Sequence, residues 1–249
     1  MFVDTHTHIV YDNRDEIINN AIDACVKLLV NASEDLSSSI ESVKLSSLYE
    51  GVYACVGVHP ENAKKFDFSE IDEFRKLLKN DKVVAIGEIG LDYYYGKEDS
   101  EIQKKVFRAF LSLAEEVDKP VVIHTREAVM DTINILKEYK VKGIIHCFSS
   151  SKEVGLEYIK LGYKLGIGGV FTFKNSNLRD TVKYLGLDNL VLETDAPYLS
   201  PEPYRGKVNE SKNIPIIGKV LSESLGVSLD EVMEVTTKNA LEVFNIKQM

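Results

Sequence analysis

Phe2-Val3-Asp4-Thr5-His6-Thr7-His8, residues 2–8, reads as a short buried strand that ends in two histidines two positions apart. In an extended strand, residues i and i+2 point to the same side. His6 and His8 therefore aim in one direction and can grip one cation together. A single His-x-His carries little by itself. Its weight depends on what stands where later strands end.

Seven further apolar runs of strand length follow, at 26–30, 52–58, 83–87, 120–123, 143–145, 163–167 and 190–192. Between them, apolar residues recur at helical spacing. The first such segment, 16–25, comes after a polar, acidic turn. The serine-rich passage 33–39 opens a capped amphipathic helix running to about 49, and Ser69 caps a helix over 68–78. Others span 100–117, 128–139, 152–161 and 177–185. A proline-rich loop at 197–203 precedes two last helices, 214–225 and 229–244. Eight strands alternating with helices, with no break in composition, predict right-handed β-α-β units closed into an α/β fold, the (β/α)8 TIM barrel. The 249 residues suit one such barrel, so residues 1–249 are expected to form a single domain. The alternative, an open doubly wound sheet, lacks a Gly-x-Gly-x-x-Gly after the first strand.

Hydrophobic residues make up 44% of the chain and charged ones 28%, as in ordinary globular proteins with ample core. No apolar run is long enough to cross a bilayer, and Asp4, His6 and His8 interrupt any leader-like start, so a cytoplasmic protein is expected. Cys25, Cys55 and Cys147 are odd in number and lie in or beside apolar segments; buried free thiols are expected. A net charge of −9 argues against coating nucleic acid through a basic face. It does not exclude an enzyme whose bound cations supply local positive charge.

All five histidines, His6, His8, His59, His124 and His146, fall at carboxyl ends of expected strands, as do Glu88 and Asp195. That end of a barrel is where active sites sit. One buried histidine reads most simply as a hydrogen-bonded core residue; five at one rim do not. Imidazole and carboxylate without thiolate suit Zn²⁺, Mn²⁺ or Fe²⁺, or Mg²⁺ with water completing its shell. Six ligands exceed one tetrahedral ion and predict two divalent ions about 3.5–4 Å apart. In this reading His6, His8 and Asp195 hold the first, His124 and His146 the second, and Glu88 bridges both. The pair would acidify a shared water to give a bridging hydroxide as nucleophile, with Asp195 as candidate general base.

The runs Val3-Asp4-Thr5-His6-Thr7-His8, Gly57-Val58-His59-Pro60, Gly87-Glu88-Ile89-Gly90-Leu91-Asp92, Pro120-Val121-Val122-Ile123-His124-Thr125-Arg126, His146-Cys147-Phe148-Ser149, Thr172-Phe173-Lys174-Asn175 and Glu193-Thr194-Asp195-Ala196-Pro197-Tyr198-Leu199 resemble, in order and along the whole chain, the TatD family of metal-dependent deoxyribonucleases. The resemblance implies a TIM barrel of the amidohydrolase superfamily and metal-dependent phosphodiester hydrolysis, often 3′-to-5′ exonuclease action on DNA. It also implies metal-ligand roles for His6, His8, Glu88, His124, His146 and Asp195. Four positions depart from the family pattern. Glu127 stands for Asp, Ser150 for Gly and Phe110 for Gln, and Asn209-Glu210-Ser211 for Asn-Glu-Pro. None removes a ligand.

Other residues carry two readings each. His59 contacts the scissile phosphate or a ligand, or else fixes its own loop. Arg126 clamps a phosphate or forms a structural ion pair. Arg205 and Lys207, in the loop after the eighth strand, are read as phosphate-binding, against a solvated charge pair; Lys174 and Asn175 are weighed the same way. Of Tyr93-Tyr94-Tyr95, exposed members such as Tyr95 would stack on unpaired bases, but at least two of the three are expected to pack on the neighbouring helix. Tyr198 and Tyr204 face the same choice. Asp92 serves a ligand histidine or caps its loop. Asp4 is expected to meet a buried partner.

The sequence thus predicts a metal-dependent hydrolase engaging a few nucleotides of single-stranded or frayed DNA, with no membrane and no obligate protein partner. Its rivals are an esterase, lactonase or D-aminoacyl-tRNA deacylase of amidohydrolase type on the same site, and a non-catalytic binding barrel. Many such relatives bridge their ions with a carboxylated lysine where Glu88 stands.

Overall fold

The computed structural model describes residues 1–9 and 12–247; Val10 and Tyr11, part of the expected acidic turn, lie outside the described residues. Eight parallel strands pair in chain order: β1 (Phe2–Thr7), β2 (Val26–Ala32), β3 (Val52–Val56), β4 (Val83–Asp92), β5 (Val121–Arg126), β6 (Gly143–Ile145), β7 (Tyr163–Ile167) and β8 (Leu190–Leu192). Between and after them come α1 (Arg14–Asp23), α2 (Leu36–Leu48), α3 (Ile71–Leu77), α4 (Ser100–Val117), α5 (Val129–Leu136), α6 (Lys152–Lys160), α7 (Leu178–Leu185), α8 (Ile214–Leu225) and α9 (Leu229–Phe244). This is the expected (β/α)8 TIM barrel. The ring closes where the chain leaving β8 lies along β1: Asp195 N–H donates to His6 O (3.0 Å) and His8 N–H to Ala196 O (2.8 Å).

One buried cluster joins Val3, Leu28, Val30, Cys55, Val84, Val122, Ile144 and Val191 with Ala240, Leu241 and Phe244 of α9. It draws on seven strands and one helix, so it is the barrel interior, with α9 seated under the amino-terminal ends of the strands. A second, larger cluster lies between the sheet and the outer helices. Side chains alternate along each strand. The positions two above Val122 and Ile144 are therefore His124 and His146, and those two and four above Val191 are Glu193 and Asp195. The interior is apolar low in the barrel and ionisable at its carboxyl rim.

Local chemistry shifts several boundaries. The helix expected to open in the serine run starts at Leu36, because Asp35 caps it. The Asp35 carboxylate accepts from Ser38 N–H (2.8 Å), and Ser38 Oγ accepts from Asp35 N–H (3.0 Å). Ser69 is not the cap expected for 68–78. Asp67 takes that place, accepting from Ser69 N–H (2.9 Å), and opens a 3-10 turn, Phe68–Glu70, before α3. β4 runs five residues past its expected end, with a register shift between Ile86 and Ile89. Its extension is possible because Gly90, at φ +146°, has no Cβ; one there would come 1.9 Å from His124 O. The cysteines are not uniformly buried: Cys55 is, Cys25 is exposed in the turn before β2, and Cys147 is half-buried at the barrel mouth. Among the described residues no helix is long and apolar enough to cross a membrane.

Candidate metal centre

β1 delivers the two histidines as its alternation requires. His6 Nε2 and His8 Nε2 lie 3.2 Å apart, and Asp195 Oδ1 stands 3.7 and 3.5 Å from them. β4 brings Glu88 to the centre of the mouth. Its Oε2 is 3.2 Å from His6 Nε2 and 3.9 Å from His8 Nε2. Its Oε1 is 2.7 Å from His124 Nδ1, 3.3 Å from His146 Nε2 and 3.7 Å from His59 Nε2. The two oxygens of Glu88 thus face different sets of imidazoles. Ligand atoms within 4.8 Å of one another group as His6–His8–Asp195, His6–Glu88–His146, His59–Glu88–His124 and His146–Cys147–Asp195. The first group matches the set expected for the first ion. For the second, His124 and His146 meet the same Glu88 oxygen.

The donor set fits divalent cations. Two imidazole nitrogens aimed at each other across 3.2 Å, beside buried carboxylates, leave lone pairs that only protons or a cation satisfy. His6 Nδ1 and Glu193 Oε2 are buried without hydrogen-bond partners. Among the described residues no lysine or arginine forms an ion pair with Glu88, Glu193 or Asp195. In the absence of an ion, protons on the histidines carry the compensation. Burial acts to raise Glu88, but the charges of His146, His6 and His59 and the hydrogen bond to His124 outweigh it and hold the carboxyl well below the usual range. Burial opposes charge on His146, yet Glu193, Glu88 and Asp195 push it up to about 10; burial likewise opposes His124, which Asp92 and Glu88 push up to about 9. His6 goes the other way, lowered by burial and by the charge of His146.

The wiring around the centre separates roles. Asp92 does both things expected of it: Oδ2 meets His124 Nε2 (2.9 Å) and Oδ1 caps Tyr94 N–H (2.9 Å). Its backbone is gripped by Gln103 of α4, which accepts from Asp92 N–H and donates to Asp92 O, each at 2.9 Å. Asp4 meets its buried partner across the ring closure, accepting from Thr194 Oγ1 (2.6 Å) and Thr194 N–H (3.0 Å). Burial pushes Asp4 up to about 7 against hydrogen bonds from Thr194 and Ser211. Ser211, where the family pattern has proline, is buried with its Oγ donating to Thr7 Oγ1 (3.4 Å). Phe110, in place of glutamine, is fully buried against Phe66 and Phe74. Nothing in the structure explains Glu127 or Ser150.

Around the mouth, Arg126 stacks its guanidinium 3.5 Å over the Tyr94 ring and makes no structural ion pair among the described residues. Arg205 lies 4.4 Å over Phe173, and Lys207 5.7 Å from the Tyr204 ring. Their loop is tied down by Asn209, whose amide donates to Thr194 O (2.9 Å) and Tyr198 O (2.8 Å). Lys174 and Asn175 are exposed. Of the three consecutive tyrosines only Tyr93 packs, at 5% exposure, whereas Tyr94 and Tyr95 are 50% and 78% exposed. The expectation of two packed rings is corrected: the chain turns back after Tyr93, where Gly96 N–H donates to Tyr93 O (3.0 Å), so Tyr94 and Tyr95 stand outward and only Tyr93 faces α5, its hydroxyl donating to Asp131 (2.8 Å). The Tyr198 ring stands 6.3 Å from that of His8.

Sequence reasoning passed over Glu193 and Gln103. Glu193 was legible only as one letter of the run before Asp195. Gln103 looked like one polar position on an amphipathic helix.

The model of the family described as TatD related DNase matches residues 3–245. A protein named uncharacterized metal-dependent hydrolase YabD, from Bacillus subtilis (strain 168), is 37% identical over 254 residues, spanning 99% of this chain and 100% of that one. Another of that description, YcfH from Escherichia coli (strain K12), is 34% identical over 255 residues, spanning 98% and 96%. The crystal structure of YJJV, a TatD homologue from Escherichia coli K12, superposes with a TM-score of 0.93 at 29% identity, covering 99% of this chain and 98% of that one.

Proposed function

Because the chain belongs to the family of TatD-related DNases, and its relatives carry the name metal-dependent hydrolase, we propose that it hydrolyses phosphodiester bonds of DNA with two divalent cations, Mg²⁺, Mn²⁺ or Zn²⁺. The observation that carries the reading is the split of Glu88: one carboxylate oxygen faces His6 and His8, the other His124 and His146. That is the placement of a bridging ligand between His6–His8–Asp195 on one side and His124–His146 on the other. Bound there, the cations would acidify water and neutralise charge on a phosphoryl oxygen.

The chain's own groups supply the rest. Asp195, partly open to the mouth, takes the proton released by the attacking water. His59 accepts from Glu61 N–H through Nδ1 (3.2 Å), so its proton sits on Nε2, which points toward Glu88. Burial pushes this imidazole down to about 4, so it is neutral and a donor. A neutral imidazole whose Nδ1 already accepts cannot ligate through a protonated Nε2, and His59 is read as a donor to the scissile phosphate. Arg126, Arg205 and Lys207 receive neighbouring phosphates, and the exposed Tyr94, Tyr95 and Tyr198 stack on unpaired bases. A rim with these few cations on an acidic protein suits a short stretch of single-stranded or frayed end, and 3′-to-5′ exonuclease action is the form proposed.

The test is digestion of a 3′-end-labelled single-stranded oligonucleotide with Mg²⁺ or Mn²⁺. Glu88→Ala and Asp195→Asn should each remove activity while circular dichroism shows the fold retained. Digestion at the normal rate by either variant refutes the assignment. Wild-type protein that leaves DNA intact but cleaves a lactone, ester or D-aminoacyl-tRNA moves the same site to another substrate.

A further inference from the structure

His124 and His146 enter the mouth from neighbouring strands with opposite ring nitrogens. His124 presents Nδ1 and His146 presents Nε2 to the same Glu88 oxygen, at 2.7 and 3.3 Å. Each then has its second nitrogen turned to a different carboxylate. For His124 that partner is Asp92, at 2.9 Å and itself clamped by Gln103. For His146 it is Glu193, whose Oε1 lies 3.1 Å from Nδ1. The His146 pair is close but not yet aligned as a hydrogen bond, and Nδ1 has no other partner.

Glu193 is fully buried. Its Oε1 accepts from Cys147 N–H at 2.6 Å, and Oε2 has no partner. A carboxylate removed from water and held by one amide is costly unless a positive or proton-donating group faces it. His146 is the group that does. Space for the side chain comes from Gly166 of β7, where a Cβ would come 2.1 Å from Oε2. The barrel wall is therefore shaped around this carboxylate.

We propose that Glu193 is a positioning residue for His146: its carboxylate keeps the imidazole proton on Nδ1 and presents Nε2 to the ion beside Glu88. A histidine that ligates through one nitrogen has its tautomer and ring plane set by whatever the other nitrogen donates to. Glu193 and Asp92 then form a matched pair behind the two histidines of one ion, while His6, whose Nδ1 has no partner, has no such support. The inference rests on the reading of Glu88, His124 and His146 as ligands of a common ion.

Calorimetric titration of metal-stripped protein with Mn²⁺ tests it. Glu193→Gln keeps the shape and an acceptor for Cys147 N–H but removes the charge. The variant should bind one ion about 10- to 100-fold more weakly, with the other ion's affinity unchanged. Both affinities at wild-type values, with only the melting temperature of the metal-free protein lowered, would make Glu193 merely structural and overturn the proposal. The wild-type protein gives a second readout that needs no variant. In the Zn²⁺-loaded, histidine-¹⁵N-labelled protein, His146 should show a protonated Nδ1 and a ligated Nε2. Ligation through Nδ1 overturns the proposal. Wild-type protein that binds no stoichiometric ion instead fails the metal reading beneath it, a result the titration separates from the others.

Discussion

His59 puts its two ring nitrogens to different uses, and a substitution can separate them. Nδ1 caps the 3-10 turn Pro60–Lys65 by accepting from Glu61 N–H, while Nε2 faces Glu88. Asparagine is also a good cap but cannot reach the mouth. His59→Asn should therefore melt close to wild type yet lose about 100- to 1000-fold in turnover at saturating metal, as for loss of one donor to developing charge. His59→Ala should lose the same activity and about 1 kcal/mol of stability besides, read by thermal melts. Equal activity of His59→Asn and wild type would reduce the residue to its loop. The same scale shows what the chain made legible. Histidines and acids at strand ends declare themselves because alternation and strand length place them. Glu193 does not, because its partner His146 lies on the far side of β7 and is met only in the assembled barrel; Gln103 does not, because it reaches back from α4 to the backbone of Asp92 at the end of β4, a contact that helical periodicity does not encode.

The segment after β4 is the element whose fixing matters most to the proposed substrate rim. Tyr93 is its anchor: the ring is buried and its hydroxyl donates to Asp131 of α5, which also pairs with Lys104 of α4 at 2.9 Å. Tyr94, Tyr95 and the stacked Arg126 hang from that anchor. The hydrogen bonds from Lys104 and Tyr93 hold the Asp131 carboxyl below its ordinary 3.8. A carboxylate lowered on folding adds stability above its unfolded pKa and loses it as pH falls through the folded one. Asp131→Asn should thus melt below wild type at pH 7, by no more than about 1 kcal/mol because the group is 41% exposed. The two melting temperatures should converge as the pH drops below about 4. A gap that persists in acid would mean that Asp131 acts by packing and not by charge. β4 itself was the least legible element: Gly87 and Gly90 look like a strand's end, and only the approach of His124 O to Gly90 reveals why glycine continues it.

Across the whole molecule, the candidate ligands come from β1, β4, β5, the end of β6 and the turn after β8, so the cations would tie together strands from all round the ring. Alternation and the run of eight strands made that convergence readable; the closure through Asp4 and Thr194, and the seating of α9 under the barrel, were not, since both depend on contacts between the two ends of the chain. A ligand bound only by the folded state stabilises it by mass action, about 2.7 kcal/mol when its concentration is 100 times its Kd. For a chain of this size each kcal/mol moves the midpoint by roughly 2–4 °C. Saturating Mn²⁺ added to metal-stripped protein should therefore raise the melting temperature by roughly 5–10 °C, followed by circular dichroism because the chain has no tryptophan. Glu88→Ala, which removes the carboxylate whose two oxygens face the two sets of histidines, should abolish most of that rise. If Mn²⁺ leaves the wild-type midpoint where it was, the ligands do not share an ion, and the hydrolytic reading of the site falls with them.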